Sequence, residues 1–208
     1  EYVSALTHSE MKEYFTGNFF ANTTDILPPI LQLGGRPAFI MRAVLAATLS
    51  SVYGIYSGYE LCENEAIPGK EEYLHSEKYE SKVRDWNGGP GNIVPIIARI
   101  NQIRRNSPAL QTYNDILFLG SDNPNIIAYA KMNGDRSDII VCVVNLDPFQ
   151  TQASTIHIPL GTFGIHGDEQ YEAHDLLSDE RYRRGGPTAY VELSPAGKMA
   201  HIIKLRRV

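Results

Sequence analysis

Asn18-Phe19-Phe20-Ala21-Asn22-Thr23-Thr24-Asp25-Ile26-Leu27-Pro28 decides how the first half of the chain is read. Its opening, Asn18-Phe19-Phe20-Ala21, predicts a short apolar strand, and the polar Asn22-Thr23-Thr24-Asp25 follows at the C-terminal tip. Pro28-Pro29 is expected to forbid regular structure beyond it. After Gly34-Gly35 an apolar helix opens at Pro37. Strand, polar tip and helix is the order in which a (β/α) barrel places catalytic side chains at the ends of its strands. Asp25 is the leading catalytic candidate on that ground. Ordinary turn chemistry produces the same letters, since Asn and Asp bond their own backbone after strands, so a capping role for Asp25 stays open.

Outward from this stretch, residues 4–15 read as a helix with Leu6, Met11, Tyr14 and Phe15 on an apolar face. Residues 37–50 read as a helix apolar nearly all round, so buried on several sides. Residues 52–56 read as a second buried strand, with Gly58-Tyr59-Glu60 at its tip. The polar excursion over 62–91 lacks periodicity, and so long a segment inside a compact domain predicts a functional loop. Asn92 reads as the N-cap of a helix over 93–106, where Ile93, Ile96, Ile97, Ile100 and Ile103 recur with a helical period.

From about residue 110 the pattern changes. Short β-rich runs stand at 116–119, 126–130, 138–144, 155–158, 188–193 and 200–205, and Asn133-Gly134-Asp135 is a hairpin signal. The expected fold class is α/β then all-β. Residues 1–110 form the C-terminal end of a (β/α)8 TIM barrel, and residues 111–208 an antiparallel β-sandwich. Two strands cannot close a barrel. Their uncovered edges predict self-association, or else local disorder between residues 60 and 92.

The composition, 43% hydrophobic and 21% charged over 208 residues, suits a protein with a buried core. A net charge of -5 argues against a nucleic-acid partner. Arg181-Tyr182-Arg183-Arg184 and Lys204, Arg206 and Arg207 read as solvated faces. No membrane span or signal peptide is visible. Cys62 and Cys142 read as reduced core thiols, which suits a cytoplasmic location. The six histidines show no ligand spacing, His166 and His174 included, so no metal is expected. Asn87-Gly88-Gly89-Pro90-Gly91 lacks the Lys-Ser/Thr of a phosphate loop, and no cofactor is expected. The chain opens without Met in the middle of a helical pattern, as a piece of something longer would.

Asn22-Thr23-Thr24-Asp25 and Ile55-Tyr56-Ser57-Gly58-Tyr59-Glu60 resemble the tips of the seventh and eighth barrel strands in the α-amylase superfamily, ahead of its β-sandwich. Within it, the stretches 20–28, Gly58-Tyr59-Glu60-Leu61, 72–80 and Arg84-Asp85-Trp86-Asn87 are similar to the α-1,4-glucan:maltose-1-phosphate maltosyltransferases. Thr24 stands where Pro is expected, and Gly88-Gly89 reads as a one-residue insertion. The resemblance implies a retaining double displacement in which Asp25 is the third carboxylate, stabilising an oxocarbenium-like transition state. The nucleophile and acid/base would lie on strands not in this sequence, so the chain alone is expected to be inactive. Maltose-1-phosphate and an α-1,4-glucan are the implied partners of the parent enzyme, which is expected as a homodimer or self-associated form.

Lys78 and Tyr79 are the implied grip on the maltosyl unit, although their acidic neighbours also fit a solvated charge run. Asn22 is either a strand-tip hydrogen-bonder or a ligand residue. Glu60 either lines the site or pairs with a basic residue. Trp86, the only tryptophan, is a sugar platform or a core anchor. Other readings remain: a glucan-hydrolysing or trehalose-forming superfamily member, or a non-catalytic carbohydrate-binding or structural module.

Overall fold

A computed structural model describes residues 2–86, 89, 91–113, 116–166 and 169–208. The expected first helix is two pieces. Helix α1 (Tyr2–His8) stops at Ser9, whose side chain accepts from the Met11 amide and starts a separate 3-10 turn, Glu10–Glu13. Serine favours such a capping bond over continuing a helix. Only Leu6 of the expected apolar face is buried, while Met11, Tyr14 and Phe15 are exposed.

Strand β1 (Asn18–Phe20) pairs in parallel with β2 (Val52–Gly54), Phe19 opposite Tyr53. The buried second strand expected over 52–56 is therefore shorter, and it is not buried. Val52 is 48% and Phe20 47% exposed, because one face of this two-stranded sheet has no covering layer. The Phe20 ring lies across Gly54, where a Cβ would stand 2.3 Å from Cε1.

The proline pair does not forbid regular structure. Helix α2 (Pro29–Leu33) begins at Pro29, a first-turn position whose missing N–H is unneeded. Helix α3 (Gly35–Leu49) follows and is buried on more than one side, with Ala38, Phe39, Val44 and Ala47 inaccessible. Helix α4 (Val94–Asn106) buries Ile97, Ile100 and Ile103 at helical spacing. Ile93 holds its cap position without a side-chain bond, and Asn92 donates to the Gly89 carbonyl instead. Arg104 of α4 donates to the Ser50 and Ser51 carbonyls at 3.0 and 2.7 Å, which locks α4 to the end of α3.

The remaining strands are antiparallel. β3 (Leu117–Phe118), β5 (Ile126–Met132), β6 (Ile139–Asn145), β11 (Ala200–Arg207), β8 (Gln170–Asp175) and β9 (Arg181–Gly185) lie side by side in that order. A smaller sheet has the order β10 (Thr188–Leu193), β7 (Gln152–His157), β4 (Gly120–Ser121). The Asn133 loop joins β5 to β6, as its hairpin signal predicts.

β6 explains why its sequence is apolar without a break: both of its faces are covered. Ile139, Val141 and Val143 point toward the small sheet with Ile126, Ile156, Tyr171 and Leu193. Ile140, Cys142 and Val144 point the other way, into the cluster that holds Phe39, Val44 and Ile100 of α3 and α4. The apolar interior thus runs without a break across residue 110. Thr48 of α3 and Tyr129 of β5 share a buried hydroxyl hydrogen bond of 2.5 Å at this contact.

The local disorder expected between residues 60 and 92 does not describe this segment's described residues. Leu27 donates to the Glu71 carbonyl at 2.6 Å, Ala66 bridges Tyr73, and the Tyr73 ring is buried. These bonds hold the segment down over the tips of β1 and β2.

Candidate functional site

The tip after β1 is shaped by Thr23, whose hydroxyl accepts from the amides of Asp25 and Ile26 at 3.3 and 3.0 Å. This turn holds the Asp25 side chain outward, and that side chain is 58% exposed. Its Oδ1 lies 2.7 Å from Lys78 Nζ, 53 residues away in sequence. The ammonium's hydrogen bond, and then its charge, hold the Asp25 carboxyl below the usual carboxylate range. The same contact raises Lys78 above the ordinary lysine value. Lys78 Nζ also stands 5.3 Å from the centre of the exposed Tyr79 ring. Asp25, Lys78 and Tyr79 are therefore brought together.

Asn22 is buried directly beneath. Its Nδ2 donates to the Tyr73 hydroxyl at 2.5 Å and its Oδ1 accepts from the Tyr56 amide at 2.8 Å. Both polar ends are thus used within the protein. Burial drives the Tyr73 phenol up to about 12.

Glu60 stands apart. Its carbonyl accepts from Ile93 N, yet its Oε2 is buried without a hydrogen-bond partner. Among the described residues it forms no ion pair. The neighbouring Tyr59 is wholly buried and donates its hydroxyl to the Phe39 carbonyl at 2.5 Å.

Several residues that order this corner lie in stretches that carry the resemblance, but nothing in the sequence shows which of them pair. Ser76 donates to the Thr24 carbonyl at 3.2 Å, and the Tyr56 hydroxyl accepts from Glu77 N at 2.9 Å. Arg84 inserts between two glutamates: Nε reaches Glu63 Oε1 at 2.8 Å and Nη1 reaches Glu77 Oε1 at 2.9 Å. Lys82 joins Glu63 at 2.8 Å. Gly58, at φ +92°, leaves room for this cluster, since a Cβ there would meet Glu63 Oε2 at 2.4 Å. Lone charges in an aperiodic loop offer no pattern by which to find their partners. Trp86 is 45% exposed, 5.9 Å from the Arg84 guanidinium, and is not the core anchor that its sequence context suggested. Asn87 and the Gly88 insertion lie outside the described residues.

A groove of about 430 Å³ lies away from Asp25. It lies along the uncovered edge of β1, between α1 and α3, lined by Phe19, Phe20, Arg42 and Leu45 among others. Among the described residues no three His, Cys, Asp or Glu side chains cluster as metal ligands, and no helix is long and apolar enough to cross a membrane. The site thus offers one solvent-facing carboxylate, one amine and one phenol ring. That set suits a neutral polyol or a developing positive charge, and it contains no second carboxylate poised for acid/base work.

The family profile described as "GLGE, C-terminal" matches residues 118–205. The chain is 48% identical to the α-1,4-glucan:maltose-1-phosphate maltosyltransferase of Rhodospirillum rubrum over 98% of its own length and 30% of that protein. It is 46% identical to maltosyltransferase 2 of Streptomyces coelicolor over 100% of its length and 31% of the relative. The chain therefore spans about a third of the length of these curated relatives. Among solved structures, the α-amylase of Geobacillus thermoleovorans aligns with a TM-score of 0.64 at 15% identity, covering 90% of this chain and 38% of that one. A maltogenic α-amylase of Thermotoga neapolitana aligns with a TM-score of 0.64 at 15% identity, over 100% and 45%. Those likenesses concern the fold.

Proposed function

We propose, for a chain that resembles the C-terminal part of the α-1,4-glucan:maltose-1-phosphate maltosyltransferases over nearly its whole length, that it supplies part of the site of such an enzyme. In this reading residues 1–110 are the last strands and helices of a (β/α)8 barrel, β1 and β2 being its seventh and eighth strands. Residues 111–208 are the sandwich behind it. The uncovered faces of β1 and β2 are where neighbouring barrel strands would pack, or where copies would associate.

Asp25 then faces the sugar ring from the tip of β1. The retaining reaction breaks the bond from the anomeric carbon to phosphate by attack of one carboxylate, while a second carboxyl group protonates the leaving group. The pair would stand roughly 5 Å apart and come from outside these 208 residues. The 4-hydroxyl of a glucan then displaces the enzyme carboxylate and yields its proton to the acid/base group. Asp25, ionised at neutral pH and held further below its ordinary value by Lys78, stabilises the positive charge that builds on the ring in both steps. Lys78 donates to sugar hydroxyls and Tyr79 gives a flat apolar face, while Asn22 holds the tip from beneath. Glu60, set apart from Asp25, supports the second tip. The free thiols Cys62 and Cys142 fit a reducing, cytoplasmic setting.

The observation that carries this reading is the meeting of Asp25 and Lys78 at the tip of a parallel strand. In the full-length enzyme, phosphate release from maltose-1-phosphate with maltoheptaose as acceptor tests it. Asp25→Ala is expected to lower kcat by about a hundred- to a thousandfold, the range of a lost transition-state electrostatic contact. A loss of less than tenfold would remove Asp25 from the mechanism. The 208-residue chain alone is expected to show no turnover.

A further inference from the structure

Lys78 and Asp25 are both largely exposed, so their contact does not hold itself together: exposed ion pairs are weak and readily exchanged with solvent. Something else must place the Lys78 backbone within reach. Three neutral bonds assist: Lys78 N to Ser76 Oγ, Ser76 Oγ to the Thr24 carbonyl, and Glu77 N to the Tyr56 hydroxyl. The stronger tie is ionic and enclosed. Arg84, with only 4% of its side chain exposed, grips Glu63 through Nε and Nη2 at 2.8 and 3.2 Å, and Glu77 through Nη1 at 2.9 Å.

Glu63 follows the turn beyond β2, and Glu77 is the residue before Lys78. One planar guanidinium thus ties the lysine-bearing turn to the scaffold, with donors in two directions that a lysine could not match. Charge-assisted bonds of this kind are roughly twice as strong as neutral ones. Burial works against the Arg84 charge, and the two carboxylates more than offset it, so the guanidinium stays ionised.

We infer that Arg84 is a positioning residue: by bridging Glu63 and Glu77 it sets Lys78 against Asp25, without itself reaching that pair. The inference rests on the reading of Asp25 and Lys78 as the site, but its test reads geometry rather than turnover. If the bridge result holds while Asp25→Ala leaves maltosyl transfer intact, only the functional reading fails.

The experiment follows the Asp25 carboxyl by ¹³C NMR titration in the 208-residue chain and in Arg84→Met, Lys78→Met and the double variant. Fluorescence of Trp86, the sole tryptophan and 5.9 Å from the guanidinium, checks that the cluster has changed. Lys78→Met raises the Asp25 titration toward the ordinary value of about 3.9. Arg84→Met is expected to recover most of that rise, and the double variant no more than Lys78→Met alone, as for residues acting through one another. An Asp25 titration unmoved by Arg84→Met, or two shifts that simply add, overturns the inference. Should Arg84→Met not fold, Glu77→Gln severs only the arm toward Lys78. A smaller rise in the same direction then supports the inference, and no rise overturns it.

Discussion

The Asn22 amide donates to the Tyr73 hydroxyl at 2.5 Å across 51 residues of sequence, in the buried floor beneath Asp25. The same side chain accepts from Tyr56 N, so one residue staples the tip of β1 to the chain beyond β2 and to the long loop. Asn22→Ala would leave a buried amide N–H and a buried hydroxyl unpartnered. A loss of about 2–3 kcal/mol in urea unfolding is expected, against about 1 kcal/mol for Tyr73→Phe. Equal losses would show that Tyr56 finds another partner.

Two glycines meet crowding for different reasons, which predicts an order. At Gly58 the backbone is left-handed (φ +92°) and a Cβ would strike Glu63 Oε2, which Arg84 and Lys82 hold in place. Gly58→Ala is expected to cost about 1–3 kcal/mol from strain alone. At Gly54 the obstacle is the ring of Phe20, half exposed and free to swing outward, so Gly54→Ala should cost less. Urea midpoints in the reverse order would place the rigid contact at Phe20.

A pH dependence is expected in the sandwich. The Asp175 carboxylate is fully enclosed, where burial raises its pKa. His201 Nδ1 at 2.8 Å, with Ser178 and the Leu177 amide, outweighs that and holds it below the ordinary value. Its contribution is therefore complete above the unfolded-state value of about 3.9 and is lost as pH falls through the lower folded one. Asp175→Asn should cost about 2 kcal/mol at pH 7, and the gap from the parent chain should narrow as pH falls below the unfolded-state value of about 3.9. A gap that stays constant in urea melts at both pH values would mean that the carboxylate charge plays no part.

Burial pushes the Cys62 thiol up to about 11 and the Cys142 thiol up to about 12. Neither carries appreciable thiolate at neutral pH. Disulfide-exchange labelling of the native chain should be slow at both positions and rapid once urea has unfolded it. Fast labelling of Cys62 in the native chain would show that this half-buried thiol is open to solvent.

The elements that were legible in the sequence are those whose signal repeats over a few residues. Ile97, Ile100 and Ile103 recur at the helical period and are buried. β6 is apolar from Ile139 to Val144 and is covered on both faces. Three strands escaped notice: the two-residue β4, β8, whose His174 and Asp175 mask its buried side, and β9, a charged edge strand exposed at every residue. A surface edge need not alternate, because neither of its faces selects for apolar side chains. The break at Ser9 and the helix opening at Pro29 escaped for a different reason: both turn on one residue's hydrogen-bonding capacity at a helix end.

At the site the division is sharper. The sequence by itself determined the strand, the polar tip carrying Asp25 and the longer helices α3 and α4, since turn chemistry and side-chain period act between near neighbours. Which residues meet that tip was decided only by tertiary structure. Lys78 reaches Asp25, both ends of Asn22 are spent inside the protein, and Glu60 stays apart with one oxygen unpartnered. The segment that brings these together has no period, and each of its charges faces several possible partners along the chain. Only when Glu63, Glu77 and Arg84 leave water together does one pairing prevail.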